Sequence, residues 1–298
     1  MSNVEPRFGR LITAMVTPFN DERELDLDRA QALATRLIEG GNDSLIINGT
    51  TGESPTVFYP QKIELFRAVV EAVGGKAPVI ANVGDNCTAD TVDFAKDVAK
   101  LGVDGFMCVV PYYNKPPQEG MYQHFKTIAD AVELPIILYN IPGRCVVNME
   151  AETTLRLAND CENVIAVKEA SGKMDQIATI AAAAPEGFSV YSGDDSATYD
   201  IMRLGGAGVI STTGNVAPEH MKELVTKCAE GKWDEAWAAH EALLPLMNGL
   251  FETSNPILVK EALKLVGFPV GGVRLPLIDA TAEQSARLAS IMREVGVL

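Results

Sequence analysis

A lysine closing an apolar run is the residue in this chain whose setting most directly suggests chemistry. The stretch Asn163-Val164-Ile165-Ala166-Val167-Lys168-Glu169-Ala170-Ser171-Gly172 reads as a short buried strand that carries Lys168 at its C-terminal end and breaks at Ser171-Gly172. An ammonium in apolar surroundings loses hydration, which favours the neutral amine, and a neutral amine attacks a ketone to form a Schiff base. Lys168 is therefore the candidate nucleophile. The plain alternative is structural: a lysine that snorkels from a strand end or pairs with a carboxylate such as Glu169.

Other apolar runs end in groups that suit the same chemistry. Gly49-Thr50-Thr51-Gly52-Glu53-Ser54 is a loop with paired hydroxyls and a flexible backbone, able to offer N–H groups to a carboxylate. Pro111-Tyr112-Tyr113-Asn114-Lys115-Pro116-Pro117 sets an aromatic pair in a proline-stiffened loop. Leu138-Tyr139-Asn140-Ile141-Pro142-Gly143-Arg144 adds a phenol and a guanidinium, the side chain best shaped to grip a carboxylate in a bidentate way. Two further runs end in Ser192-Gly193-Asp194-Asp195 and Ile210-Ser211-Thr212-Thr213-Gly214-Asn215, whose glycines let a ligand approach the backbone. Each stretch alone has an ordinary turn, packing or surface reading. Together they make a lysine, a hydroxyl relay of Thr50, Tyr113 and Tyr139, and an arginine for an anion. That set fits imine chemistry on a keto acid, with proton relays contributing about 10²–10⁴-fold where well placed.

These groups need elements that bring them to one place. Eight short apolar runs are candidate strands: Gly9 to Val16, Ser44 to Asn48, Pro78 to Val83, Gly105 to Val110, Pro135 to Asn140, Val164 to Glu169, Phe188 to Ser192 and Gly208 to Thr212. Amphipathic stretches such as Asp26 to Glu39, Gln61 to Val73, Ala89 to Leu101 and Lys173 to Ala184 separate them. Strands alternating with single helices imply parallel pairing through crossovers. The fold class expected is α/β, a (β/α)₈ TIM barrel over residues 1–230 with a helical appendage over 231–298. In such a barrel the site lies at the C-terminal strand ends, where all of these groups fall. A doubly wound open sheet is the alternative, disfavoured because no glycine fingerprint follows the first strand. The appendage shows helical periodicity in Trp233 to Phe251, Pro256 to Leu265 and Thr281 to Val295, and a strand signal around Val273 to Leu277.

Composition excludes several functions. The 25 Lys and Arg stand against 40 Asp and Glu, a net charge of −15, which argues against nucleic acid as a partner. The start, Met1 to Arg10, is polar, and no apolar run reaches the roughly 18 residues of a membrane span, so neither signal peptide nor anchor is expected and a cytoplasmic location is. Cys87, Cys108, Cys145, Cys161 and Cys228 form no C-x-x-C pair and are expected as reduced thiols. His124, His220 and His240 lack ligand-spaced partners, so no metal is expected. Neither G-x-G-x-x-G after a strand nor a phosphate-binding loop ending in G-K-[ST] is present, so no nucleotide cofactor is expected.

With these residues in place, the chain resembles the dihydrodipicolinate synthase (4-hydroxy-tetrahydrodipicolinate synthase) family, within the pyruvate-dependent class I aldolases that also hold N-acetylneuraminate lyase. The resemblance runs from Gly9 to about Pro276 and includes Gly49 to Ser54, Pro111 to Asn114, Tyr139 to Arg144, Val167 to Ala170, Ser192 to Asp195 and Asn255-Pro256-Ile257. The lysine and the Gly-x-x-Gly-Glu loop imply pyruvate chemistry. Thr50-Thr51 and Tyr139-Asn140-x-Pro-x-Arg144 imply the subgroup that condenses pyruvate with aspartate semialdehyde in diaminopimelate and lysine biosynthesis. By the resemblance, Lys168 forms the imine, Thr50 and Thr51 bind the pyruvate carboxylate, and Tyr139 transfers protons through Thr50 and Tyr113. Arg144 holds the semialdehyde carboxylate, and the backbones of Gly193 and Ile210 line the pocket. Tyr113 reaches a neighbouring subunit's site, which implies a homo-oligomer, a dimer of dimers, with no cofactor beyond the imine.

Two departures matter. Cys145 stands where many relatives carry a small hydroxyl residue. Members inhibited by lysine are similar to this chain at Ser54, Asn86 and Tyr112, but have histidines where it has Tyr59 and Lys62 and glutamate where it has Asp90. A cation at position 62 should repel the lysine ammonium, so weak or absent feedback is expected. The rival readings are a lyase that releases pyruvate from a 2-keto sugar acid, which does not generally use an arginine at position 144, and a non-catalytic metabolite-binding barrel.

Overall fold

Each of the eight strands lies almost wholly in the core, because helices cover its outer face and its neighbours fill the inner one. A computed structural model of the chain describes residues 5–298, so the first four residues of the polar start lie outside the described residues. The strands are β1 (Leu11–Ala14), β2 (Ser44–Ile47), β3 (Val79–Asn82), β4 (Gly105–Val109), β5 (Ile136–Asn140), β6 (Val164–Glu169), β7 (Ser189–Ser192) and β8 (Gly208–Ser211). They pair in parallel in chain order and close on themselves, β8 against β1. This is the expected TIM barrel.

Alternate side chains divide the apolar runs between two cores. Ile12, Ile46, Ile80, Met107, Ile137, Tyr139, Ala166, Tyr191 and Ile210 fill the barrel interior. Leu11, Leu45, Phe106, Leu138, Val167 and Val209 face the helices. Between the strands run α1 (Leu27–Glu39), α2 (Tyr59–Val73), α3 (Thr88–Ala99), α4 (Gln118–Ala131), the short α5 (Pro142–Cys145), α6 (Ala151–Asp160), α7 (Met174–Ala183) and α8 (Thr198–Arg203). The last barrel helix is α9 (Pro218–Ala229). Their starts follow local chemistry: the Asp26 carboxylate caps α1 by accepting from Arg29 N at 2.8 Å.

The C-terminal part consists of α10 (Trp233–Gly249), α11 (Ile257–Leu265) and α12 (Ala282–Glu294), the last opened by a capping box of Thr281 and Gln284. Helix α10 packs on α9, and α11 and α12 pack on each other. The expected strand around Val273 to Leu277 is absent, which corrects that reading. Its first two backbone donors go to carboxylates, Val273 N to Asp279 at 3.0 Å and Arg274 N to Glu53 at 2.9 Å, and Leu277 N turns back to Arg274 O at 3.1 Å, so no ladder forms. Among the described residues no helix is long and apolar enough to cross a membrane.

Barrel closure requires a glycine at one point. A Cβ on Gly208 would lie 2.0 Å from the Arg10 carbonyl oxygen, where β8 meets the start of β1. Gly208→Ala is expected to cost about 1–3 kcal/mol. It should lower the thermal unfolding midpoint by roughly 2–10 °C, and an unchanged midpoint would show that this seam has slack.

Candidate active site

Strand parity decides which way Lys168 points. Ala166 and Lys168 face the barrel interior, whereas Val167 and Glu169 face the helices. Glu169 is satisfied there, accepting from Asn140 Nδ2 and Ser171 Oγ, each at 2.5 Å. The adjacent carboxylate is therefore not the partner of Lys168. Among the described residues no carboxylate lies within ion-pair distance of its amine. The side chain is buried, and its Nζ sits 4.4 Å from the centre of the Tyr139 ring, its register neighbour on β5. Burial pushes the amine down to about 8, opposed by the negative charge of Asp195 and helped by Arg144.

Tyr139 is the complementary group. Burial pushes its phenol up to about 12, with Thr50 and Arg144 acting in the opposite direction. The hydroxyl therefore keeps its proton at neutral pH and is able to give it to a departing oxygen. Thr50 is half-buried on the loop after β2, and Asn48 and Glu53 bracket that loop with left-handed backbone, φ 62° and 55°. The loop is tied on several sides. Asn48 and Asn82 exchange side-chain amide bonds to each other's carbonyls at 3.3 and 3.0 Å, and Thr17 Oγ1 donates to Gly52 O at 2.6 Å. Asn255 Nδ2 donates to Thr51 Oγ1 at 2.9 Å, and the Thr212 hydroxyl lies 3.4 Å from the same oxygen.

A cavity of about 370 Å³ is lined by Thr50, Tyr112, Tyr139, Ile141, Arg144 and Asn255 among others, with Lys168 and Thr51 behind its wall residues Tyr139 and Asn255. Arg144 stands exposed at its lip on α5, a single helical turn that follows β5. Tyr113 is not brought to this cavity within the single chain: it is 87% exposed, at φ 73°, and points to solvent. Ile210 is buried in the barrel interior. Gly193 is required by packing, since a Cβ there would meet Ala170 Cβ at 2.8 Å, and its N–H donates to Glu169 O at 2.7 Å.

A second cavity, about 330 Å³, adjoins the first and is lined in part by Ser54, Tyr59, Lys62, Asp85, Asp90 and Phe94. Lys62 Nζ lies 5.6 Å from the centre of the Phe94 ring, and Tyr59 donates to Asp97 at 2.6 Å. Tyr112 belongs to the wall of the first cavity, and Asn86 Nδ2 donates to its carbonyl at 3.1 Å.

Three side chains escaped selection from the sequence. Asp195, read there as part of a turn, is a buried carboxylate that accepts from Thr212 N at 3.0 Å and from Thr213 N and Oγ1 at 2.8 Å, and its charge acts on Lys168. Asn255 orients the Thr51 hydroxyl. Lys260 forms a buried ion pair with Glu53, Nζ to Oε1 at 2.6 Å. The signal for Lys260 was available: like Lys168, it interrupts an apolar run, Ile257-Leu258-Val259-Lys260. Among the described residues no cluster of three or more His, Cys, Asp or Glu is arranged to hold a metal ion.

Fold and site define a (β/α)₈-barrel enzyme organised around an amine inside its barrel. A family model described as the dihydrodipicolinate synthetase family matches residues 7–295. A 4-hydroxy-tetrahydrodipicolinate synthase of Moorella thermoacetica is 53% identical over 292 residues, 98% of this chain and 100% of that one. The crystal structure of DHDPS from Cyanidioschyzon merolae with lysine bound superposes with a TM-score of 0.97 at 45% identity, covering 99% of this chain and 100% of that one. A structure described as the first monomeric dihydrodipicolinate synthase variant gives 0.95 at 43% identity, with 97% of each chain covered. The chain belongs to the dihydrodipicolinate synthetase family.

The depressed amine makes a pH test direct. Borohydride trapping of pyruvate on the enzyme should speed up as pH rises through about 8, where the neutral amine becomes the major form. Asp195→Asn removes the charge that holds the amine protonated, so the midpoint should move to lower pH. A midpoint that rises or stays would show that Asp195 does not act on Lys168.

Proposed function

We propose that this chain condenses pyruvate with L-aspartate 4-semialdehyde to 4-hydroxy-tetrahydrodipicolinate, the step that feeds diaminopimelate and lysine biosynthesis. The pairing of a buried Lys168 amine, with no carboxylate in ion-pair distance among the described residues, with the Tyr139 phenol in a cavity that Arg144 also lines carries this reading. The reaction uses the imine of Lys168 with pyruvate and neither metal nor cofactor.

The loop of Thr50 and Thr51 receives the pyruvate carboxylate, presenting the ketone to Lys168. The neutral amine attacks the carbonyl carbon, and Tyr139 gives its proton to the carbinolamine oxygen, which leaves as water. Loss of a methyl proton then yields the enamine, with Thr50 and Tyr113 as the relay to solvent. The enamine attacks the aldehyde, whose distant carboxylate is held by Arg144. The substrate's own amine finally displaces Lys168 as the ring closes. Gly193 and Ile210 contribute backbone to the pocket wall.

Tyr113 points away from its own cavity and suits a role in that of a second copy, so the active form is a homo-oligomer, a dimer of dimers. Residues 1–230 carry the barrel chemistry, residues 231–298 form the helical appendage, and the enzyme works in the cytoplasm. The Cyanidioschyzon merolae relative was solved with lysine bound. Here the cavity beside the active site already holds the Lys62 cation, which would repel a second ammonium. Lysine therefore inhibits weakly or not at all.

Purified protein should consume pyruvate with aspartate semialdehyde and not with N-acetylmannosamine; the reverse preference would make it a sugar-acid lyase. Lys168→Ala should lower turnover at least about 10⁴-fold, and full turnover in that variant would sink the imine mechanism. Arg144→Ala should lower kcat/KM for the semialdehyde by about 10–100-fold, the worth of a charge-assisted pair of hydrogen bonds. Full inhibition by millimolar lysine would refute the reading of Lys62.

A further inference from the structure

Glu53 is in an unusual position for a carboxylate. It closes the loop that begins at Gly49, its side chain is 1% exposed, and its backbone sits in the left-handed region at φ 55°. A non-glycine residue is held there only where its surroundings impose it. The groups that impose it come from the other end of the chain. Lys260 on α11 places its ammonium 2.6 Å from one carboxylate oxygen, and Arg274 donates its backbone N–H to the other at 2.9 Å.

The same segment grips the loop at two more points. Asn255, just before α11, orients the Thr51 hydroxyl. The Arg274 guanidinium donates to the Thr56 carbonyl at 2.7 Å and to Gln61 Oε1 at 2.9 Å, while its Nε reaches the Arg23 carbonyl at 2.8 Å. Lys260 and Arg274 both lie against the Phe19 ring, 4.2 and 4.1 Å from its centre, and Lys260 also donates to the Gly272 carbonyl at 2.9 Å. Residues 51, 53 and 56 are thus all tied to residues 255–274.

Stability alone is a poor reason for this arrangement. Burying both charges of an ion pair sacrifices their hydration, and apolar side chains of the same volume often hold a core as well or better. What an ion pair supplies that an apolar contact lacks is registry. Burial pushes the Lys260 amine down to about 8, and Glu53 is the main influence that works against this and favours the ammonium.

We propose that Glu53 and Lys260 are positioning residues, an ion pair by which the C-terminal part sets the geometry of the Thr50–Thr51 loop and so the affinity for the pyruvate carboxylate. The inference rests on the assignment of that loop to pyruvate. Neither charged group acts on the reacting atoms: the Glu53 carboxylate is turned to Lys260 and Arg274. The second substrate is held elsewhere, by Arg144, and should be little affected.

The test compares the full-length wild type with Lys260→Met, Lys260→Arg and Glu53→Gln. Half-saturation by pyruvate is read from borohydride trapping and from KM, alongside KM for aspartate semialdehyde and circular dichroism. In Lys260→Met and Glu53→Gln both pyruvate values should rise about ten-fold, with KM for the semialdehyde within about two-fold, because misplacing a binding loop weakens what that loop holds. Lys260→Arg should recover most of the pyruvate affinity. Folded variants with unchanged half-saturation by pyruvate would overturn the proposal, as would an equal rise for both substrates. If Lys260→Met does not fold, Glu53→Gln decides by the same readings, since glutamine keeps the size and still accepts from Arg274 N. Wild type that traps no pyruvate would instead overturn the proposed function.

Discussion

The Lys168 amine is buried inside the barrel, and the rest of the site depends on that burial. Inside the barrel the ammonium has lost its hydration and has gained no hydrogen-bonded carboxylate in return. The cost of that burial is what brings the amine down to about 8, close enough to neutrality for a useful fraction to be uncharged. The same apolar interior drives the Tyr139 phenol the other way, to about 12, because there too the charged form is disfavoured. One environment therefore makes the amine less protonated and secures the proton on the phenol beside it.

A second lysine shows how much the partner decides. Lys260 is as deeply buried as Lys168 and is lowered to a similar value by the same cause. Its nitrogen, however, lies 2.6 Å from a Glu53 oxygen and donates to Gly272 O at 2.9 Å, so its N–H groups are committed to structure. Asp195 acts on Lys168 through its charge, but spends its hydrogen bonds on Thr212 and Thr213. The difference between the two lysines lies in what each nitrogen touches, not in how far it is buried.

The site is assembled in layers of decreasing constraint. Lys168 and Tyr139 sit on adjacent strands, placed by ladder register. The Thr50–Thr51 loop is held by the Asn48 and Asn82 amides, by Thr17 and by residues 255–274. Arg144 at the cavity lip and Tyr113, pointing to solvent, are both exposed. Constraint thus falls from the barrel interior, where Lys168 and Tyr139 sit, to the exposed residues that follow the strands.

Much of this was legible in the amino-acid order. The eight strands and their alternation with helices follow from short apolar runs separated by amphipathic stretches, and that periodicity places Thr50, Tyr139, Arg144 and Lys168 at or just after strand ends. Position in a line cannot show which way a side chain faces or what comes to meet it. Whether Lys168 was paired with Glu169 turned on strand parity within a closed barrel, and whether Lys260 was free turned on a carboxylate more than two hundred residues earlier in the chain. The segment 273–277 reads as a strand because its residues are apolar enough, yet its first two backbone donors found carboxylates and not a neighbouring strand. Local pattern determined the elements and the residue types at their ends; the pairing of charges across the chain was decided only by the tertiary structure, because burial and proximity are properties of the packed barrel.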